Sequence, residues 1–244
     1  MCRQGMISIP DTEDVTNFVV AVTTKYGLTQ RDGFGYGYHS PDSKYPIVKK
    51  SKRDALSYWV THDDKIVSDA VIYHTRIATQ GGIEDSTSHP FKSQGIAVTH
   101  NGMLYHYDSL KEELTKLGVK FKTEVDSELI LHSFNAYGWK FLEEFEKHGV
   151  GGTMAIQILH PDGTIQLYRT VTADYKIYEA KEGGVVGMSD GSVFSGLTEI
   201  ESGTIYTIDK GKVVSKEKKP ISLSVTPSTY NVPATYNYKG SCDM

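Results

Sequence analysis

Apolar residues recur at helical spacing in the first half of the chain. Residues 11–25 place four apolar side chains on one face of a predicted helix, with Asp11 or Thr12 available as its N-cap: Val15, Phe18, Val19 and Val22. The same spacing predicts three further helices, which begin near Asp108, near Asp126 and after Gly138.

Runs rich in β-branched residues predict strands between and after these helices. DAVIYHTR and QGIAVTH are predicted to be buried strands, and TMAIQILH and TIQLYRTV flank the turn Pro161-Asp162-Gly163 as a hairpin. From about Ser215 the composition shifts to Lys, Ser, Thr, Pro and Tyr without periodicity. We therefore predict one mixed domain over residues 2–214 and a flexible or partner-binding tail over residues 215–244.

Composition and charge exclude several classes of protein. The 244 residues carry a formal net charge of −4, which gives no long-range attraction to nucleic acid or to an anionic membrane. No apolar run approaches the ~20 residues of a membrane span, and the start lacks the apolar region of a secretory signal. Two cysteines cannot form a disulfide framework. We therefore expect a cytoplasmic protein that acts on a small molecule, with no nucleic-acid or membrane partner.

Three familiar motifs do not fit the sequence around them. Residues 187–191 have G-x-S-x-G spacing, but no clean helix is predicted after them, so we interpret them as a polar strand end. GFGYG lacks the spacing of a dinucleotide-binding loop. The nine histidines show neither H-E-x-x-H nor paired-cysteine spacing, so we expect no metal and no cofactor.

Four short segments remain, and each alone has an ordinary interpretation. Cys2 alone could be an incidental cysteine, and Arg76 in HTRIAT at 74–79 could be a surface charge. His100-Asn101-Gly102 could be a turn, and Asp126 in the acidic run could be a helix cap. Together with His89-Pro90-Phe91 and Asp126-Ser127-Glu128, their order and spacing resemble the class II glutamine amidotransferases. The resemblance extends over about residues 2 to 210.

The resemblance implies a fold and a set of site residues. The fold is an α+β N-terminal nucleophile (Ntn) hydrolase, a four-layer αββα sandwich of two antiparallel sheets. Removal of Met1 would make Cys2 the terminal nucleophile, and Asn101 and Gly102 would stabilise the oxyanion. The residues implied to bind L-glutamine are Arg76, Thr79 and Asp126.

These residue types suit the implied chemistry. A free α-amine has a pKa of ~7.7 and a thiol ~8.5, so a terminal cysteine carries its own base. Arg76 offers a planar fork for the α-carboxylate of glutamine, and Asp126 accepts from its α-ammonium. The sequence departs from the family at Ile77 and Gln80, near the loop expected to cover the pocket.

The implied function is hydrolysis of L-glutamine through a γ-glutamyl thioester on Cys2, with the ammonia passing to a synthase that is a separate polypeptide. Two alternatives stay open. One is a stand-alone hydrolase of small γ-glutamyl compounds, and the other is an inactive glutamine-binding regulatory module. Activity on glutamine compared with activity on γ-glutamyl peptides discriminates the hydrolase from the glutaminase. Retention of Met1 would favour the inactive module.

Overall fold

Two antiparallel sheets form the centre of the computed structural model, which describes residues 2–78 and 81–223. Met1, Thr79 and residues 224–244 of the predicted tail lie outside the described residues. The first sheet has the strand order β11-β9-β10-β1-β4-β2-β3. Its strands are β1 (Arg3–Asp14), β2 (Phe34–Tyr38), β3 (Ile47–Ser51), β4 (Val67–Thr75), β9 (Lys176–Glu179), β10 (Val185–Met188) and β11 (Thr198–Glu199).

The second sheet has the strand order β13-β12-β8-β7-β6-β5. Its strands are β5 (Phe91–Ser93), β6 (Ile96–Tyr105), β7 (Gly151–Leu159), β8 (Ile165–Arg169), β12 (Thr204–Asp209) and β13 (Lys212–Lys218). The helices are α1 (Thr16–Gly27), α2 (Ala55–Thr61), α3 (Asp108–Lys116), α4 (Asp126–Tyr137) and α5 (Phe141–Lys147). None of these helices combines the length and the apolar content that crossing a membrane requires.

Successive side chains of each strand point to opposite faces of the sheet, so the core consists of three apolar clusters that separate four layers. On β1, Met6 points into the cluster between the two sheets, and Ile7 points into the cluster beneath α1 and α2. On β7, Ala155 lies between the sheets, whereas Ile156 packs against the cluster that includes residues of α3, α4 and α5. The arrangement is helix, sheet, sheet, helix, which confirms the predicted fold class.

The helix predicted over residues 11–25 begins later in the structure. Glu13 and Asp14 still pair with β4, opposite Ser68 and Val67, so this stretch is extended. The Asp14 carboxylate then accepts a hydrogen bond from the backbone N–H of Thr16, where α1 starts. Strand pairing therefore overrides the helical spacing of the first few residues.

The last strand crosses the predicted domain boundary. β13 continues to Lys218, which pairs with Thr204 on β12, so residues 215–218 belong to the second sheet. Ile221 and Leu223 also pack against the helix-side cluster of that sheet. Charged and polar side chains on an exposed edge strand account for the loss of apolar periodicity after residue 214.

Candidate active site

The ends of several elements meet at one place. Because β1 and β4 are antiparallel and Arg3 pairs with Thr75, the start of β1 lies beside the end of β4. The site residues and their positions are Cys2 just before β1, Arg76 just after β4, Asn101 and Gly102 on β6, Asp126 at the start of α4, and Ser189 just after β10.

The Cys2 thiol is half-buried and lies against one stretch of backbone. Its Sγ accepts a hydrogen bond from the Ile77 N–H at 3.2 Å, and its S–H donates to the Ile77 carbonyl oxygen at 3.3 Å. Burial raises the pKa of the thiol, the Ile77 N–H and the Arg76 charge lower it, and the Asp126 charge raises it. Since Arg76 and Asp126 both act on this sulfur, the structure brings the three side chains to the same site.

Asn101 connects β6 to the start of β1. Its Nδ2 donates to the Cys2 carbonyl oxygen at 3.0 Å and to the Ser189 hydroxyl at 3.0 Å. Its Oδ1 is buried and has no hydrogen-bond partner among the described residues. Asn101 is therefore an uncharged donor held in a fixed position next to the nucleophile.

Gly102 follows Asn101 in a backbone conformation that requires glycine. Its φ is +146°, and a Cβ atom there would lie 2.0 Å from the Thr153 carbonyl oxygen. Any larger residue would have to move the neighbouring strand β7. The Gly102 backbone therefore stays close to β7.

Ser189 and Gln4 connect the strands around this donor. The Ser189 hydroxyl accepts from the Gln4 N–H at 3.1 Å and donates to the Gln4 carbonyl oxygen at 3.3 Å. The buried Gln4 side chain then reaches the other sheet, donating to the Ala155 carbonyl oxygen at 2.8 Å and accepting from the Thr99 hydroxyl at 2.9 Å. Both side chains position the start of β1 against β6.

The Arg76 guanidinium is almost completely buried. Its NH1 donates to the Gly82 carbonyl oxygen at 2.9 Å and to the Thr87 hydroxyl at 3.0 Å. These contacts fold residues 81–87 over the arginine, so the same side chain that is predicted to bind substrate also organises the loop beside it.

Asp32 fixes the backbone next to Arg76. Its carboxylate accepts from the Ala78 N–H at 2.9 Å, and its own N–H donates to the Arg76 carbonyl oxygen at 3.0 Å. Both of these Asp32 contacts are to backbone atoms.

Asp126 is the first residue of α4 and is buried. One carboxylate oxygen accepts from the Leu104 N–H at 2.8 Å, and the other accepts from the Ser127 hydroxyl at 3.3 Å. The second oxygen also lies 3.9 Å from His100 Nδ1. The carboxylate is thus attached to β6, the strand that carries Asn101.

Three buried histidines lie behind these residues. The rings of His74 and His89 are 4.0 Å apart, and none of their ring nitrogens has a hydrogen-bond partner in the described part of the chain. Burial lowers the pKa of His74 to about 3 and that of His89 well below its usual value, and it lowers the pKa of His100 as well. The His74 and His89 rings therefore remain neutral at pH 7.

The described residues contain one group with the spacing of metal ligands, and it lies away from Cys2. Glu113, Glu144 and His148 place one ligand atom each within 4.8 Å of the others. Lys147 already donates to Glu144 at 2.7 Å, and His148 lies 3.1 Å from Glu113. We interpret the group as an ion-pair cluster between α3 and α5.

The structure thus brings together five of the six predicted site residues, namely Cys2, Arg76, Asn101, Gly102 and Asp126. The sixth, Thr79, lies outside the described residues. Sequence reasoning missed Gln4, and it interpreted the segment that contains Ser189 only as a polar strand end.

Comparison with known proteins gives consistent matches. A family model described as a glutamine amidotransferase domain matches residues 51–160. The glutamine--fructose-6-phosphate aminotransferase (isomerizing) of Sulfurisphaera tokodaii is 35% identical over 197 residues, which is 78% of this chain and 32% of that protein. The enzyme of the same name from Aquifex aeolicus is 32% identical over 180 residues, covering 69% of this chain and 27% of that protein. The chain therefore spans about a third of the length of these relatives.

Solved structures share the fold at lower identity. The glutamine phosphoribosylpyrophosphate amidotransferase of B. subtilis, complexed with ADP and GMP, superposes with a TM-score of 0.72 at 19% identity, covering 91% of this chain and 50% of that one. A glutamine aminotransferase class-II domain protein from Silicibacter pomeroyi superposes with a TM-score of 0.62 at 14% identity, covering 90% of this chain and all of that one.

Proposed function

Because this chain contains a class II glutamine amidotransferase domain, we propose that it hydrolyses the side-chain amide of L-glutamine to glutamate and ammonia. The observation that carries the proposal is the 3.0 Å hydrogen bond between Asn101 Nδ2 and the Cys2 carbonyl oxygen. It holds an uncharged donor beside residue 2. The oxygen that becomes negatively charged during attack would replace one of the two acceptors that this amide has in the structure.

The reaction uses the first residue of the processed chain. After removal of Met1, the α-amine of Cys2 takes the thiol proton, and the sulfur attacks the amide carbon of glutamine. The carbon–nitrogen bond breaks, the amine returns the proton to the departing ammonia, and a γ-glutamyl thioester remains on Cys2. Water then hydrolyses the thioester and restores the thiol. The raised pKa of the buried thiol makes a nearby base necessary.

Substrate selection depends on the two charged side chains that act on Cys2. The Arg76 guanidinium binds the α-carboxylate of glutamine, and the Asp126 carboxylate accepts from its α-ammonium, with Thr79 as a further binding residue. Both charged groups are buried. A substrate with either α-group blocked would leave one of these charges unpaired, which disfavours binding.

The ammonia that this reaction releases requires an acceptor. We place the accepting synthase on a separate polypeptide in the same cytoplasmic compartment. Co-purification that recovers no partner, together with high glutaminase activity of the isolated chain, would contradict this assignment.

The test combines intact mass with activity. The purified chain is expected to lack Met1, to hydrolyse glutamine, and to be labelled at Cys2 by a glutamine-analogue electrophile. Cys2→Ala should lose the activity, whereas Cys242→Ala, which removes the other cysteine, should retain it. Retention of Met1 with no labelling would instead favour the inactive glutamine-binding module. Glutamine hydrolysis by Cys2→Ala at the wild-type rate would disprove the mechanism.

A further inference from the structure

A cavity of about 380 Å³ adjoins the proposed oxyanion donors. Its lining includes Asn101, Gly102 and Ser189, and also Thr172, Asp174 and Lys176. Its lining residues do not include Cys2 or the predicted glutamine ligands Arg76 and Asp126. The cavity therefore begins at the proposed oxyanion donors, on a side that the proposed glutamine contacts do not use.

The size of this cavity exceeds what ammonia requires. A water molecule, which is similar in size to ammonia, occupies about 30 Å³ of liquid volume. The cavity is roughly ten times larger and falls within the range of small-molecule sites, about 300 to 1,000 Å³. Release of ammonia alone does not account for it.

The charges around the cavity are partly unpaired. Arg3 and Asp190 form an ion pair at 2.8 Å and so offset each other. The side chains of Asp174 and Lys176 form no hydrogen bond or ion pair with any residue of the described ranges. Both residues line the cavity, whereas Tyr175 between them is buried.

We propose that this cavity binds the amine component of a γ-glutamyl amide, and that this component carries a carboxylate, as an amino acid does. The proposal rests on the proposed function, since it extends the same Cys2 chemistry to a larger leaving group. Lys176 pairs with the carboxylate at the far end, while the scissile amide lies between Cys2 and the Asn101 donor.

The reaction steps are those of glutamine hydrolysis. Sulfur of Cys2 bonds to the γ-carbonyl carbon, the carbon–nitrogen bond breaks, and the amino acid nitrogen takes the proton that the α-amine of Cys2 removed from the thiol. Water then cleaves the thioester to release glutamate. The products of a γ-glutamyl amino acid are glutamate and a free amino acid, and no further reactant is needed.

Asp174 limits which amino acids fit. A second carboxylate on the leaving group would lie near this unpaired negative charge, which disfavours it. We therefore expect γ-glutamylglutamate to be a poorer substrate than γ-glutamylglycine, and Asp174→Asn to reduce that difference.

The test compares γ-glutamylglycine with γ-glutamylmethylamide, which lacks the carboxylate, in the full-length processed protein. We expect kcat/KM to be higher for γ-glutamylglycine, and the ratio of the two values to fall about tenfold in Lys176→Met, the usual effect of losing one charged hydrogen bond. Lys176→Arg should keep the ratio because the positive charge remains. Lys181→Met, which removes an exposed lysine outside the cavity lining, should also keep it.

Two further outcomes are distinguishable. If glutamine is hydrolysed but γ-glutamylglycine is not, or if Lys176→Met leaves the ratio unchanged, the inference about the cavity is wrong and the proposed glutaminase function stands. If none of the compounds, glutamine included, is hydrolysed, the proposed function fails and this inference fails with it.

Discussion

Asn101 and Cys2, 99 residues apart in the chain, are joined by a 3.0 Å hydrogen bond between the two sheets of the fold. Asn101 lies on β6 of the second sheet, and Cys2 precedes β1 of the first. The relative position of donor and thiol therefore depends on how the sheets stack, and several of our predictions concern this relationship.

Replacing Asn101 should mainly reduce turnover. Loss of one fixed oxyanion donor typically lowers kcat about a hundred- to thousandfold, and we expect this for Asn101→Ala with a nearly unchanged KM. Asn101→Asp keeps the volume but not the donor at neutral pH, so its loss should be similar. Asn135→Ala on α4 serves as the matched control. A kcat within tenfold of wild type in both Asn101 variants would contradict the role.

Ser189 is expected to act through Asn101. Ser189→Ala removes the acceptor that orients the Asn101 amide, and one neutral hydrogen bond contributes about 1 kcal/mol, so kcat should fall roughly two- to tenfold. KM should stay the same, because Ser189 touches neither predicted glutamine ligand. Ser192→Ala, at an exposed serine nearby, should change neither constant. A change in KM alone would assign Ser189 to substrate binding.

Arg76 should not tolerate replacement by lysine. Arg76→Lys keeps the charge but loses the planar fork, and it also loses contacts to Gly82 and Thr87. We expect kcat/KM for glutamine to fall about ten- to hundredfold, mostly through KM. Steady-state kinetics measure this, with Arg53→Lys on the exposed surface as the control. Wild-type kcat/KM in Arg76→Lys would argue against a role in carboxylate binding.

A permanent N-terminal extension should remove the activity. A residue kept before Cys2 converts the α-amine into an amide, which is no base, and general-base catalysis contributes about 10²- to 10⁴-fold. The same extension with a protease site that leaves Cys2 as the first residue should regain activity upon cleavage. Equal glutaminase rates before and after cleavage would show that another group serves as the base.

The buried histidines should make stability fall as pH decreases below about 6.5. Burial lowers the pKa of His74 to about 3 in the folded state, so the unfolded chain binds more protons between these two values. The stability that each such histidine contributes is therefore fully present above about pH 6.5. It declines by about 1.4 kcal/mol for each pH unit below that value. Hydrogen bonds lower the pKa of Glu128 to about 2 despite burial, so the stability that this carboxylate contributes is lost only below the pKa of a free glutamate, about 4.3.

Denaturant unfolding at pH 7, 6 and 5 checks this expectation. His89→Asn should reduce the pH dependence, whereas His62→Gln at an exposed histidine should not. An unfolding free energy that is constant from pH 7 to 5 would mean that the buried rings are protonated in the folded protein.

Periodicity alone predicted the helices that cover the second sheet. Leu110 and Leu114 are fully buried on α3, as their spacing predicts, whereas Leu117 of the same stripe is 63% exposed because the helix ends before it. The start of α1 was predicted too early, since pairing of Glu13 and Asp14 with β4 is a tertiary effect that local spacing does not contain.

The site could be predicted only as a set of segments. The order of Cys2, Arg76, Asn101 and Asp126 resembles a family pattern, but no property of the residues alone shows that they meet. Ser189 is the clearest example of a residue whose role local sequence cannot predict. Its role depends on Gln4 and Asn101, which are 185 and 88 positions away in the chain. Such contacts follow from sheet stacking rather than from local sequence.

Gln4 places a polar side chain in the space between the sheets, with one bond to Ala155 and one to Thr99. Apolar side chains alone would permit the sheets to slide by a fraction of a residue at little energetic cost, whereas these directional bonds favour one alignment. Replacement of Gln4 by methionine would preserve volume and apolar burial. Such a protein could fold well and still be a poor enzyme, so thermal stability is an unreliable guide to function for changes in this layer.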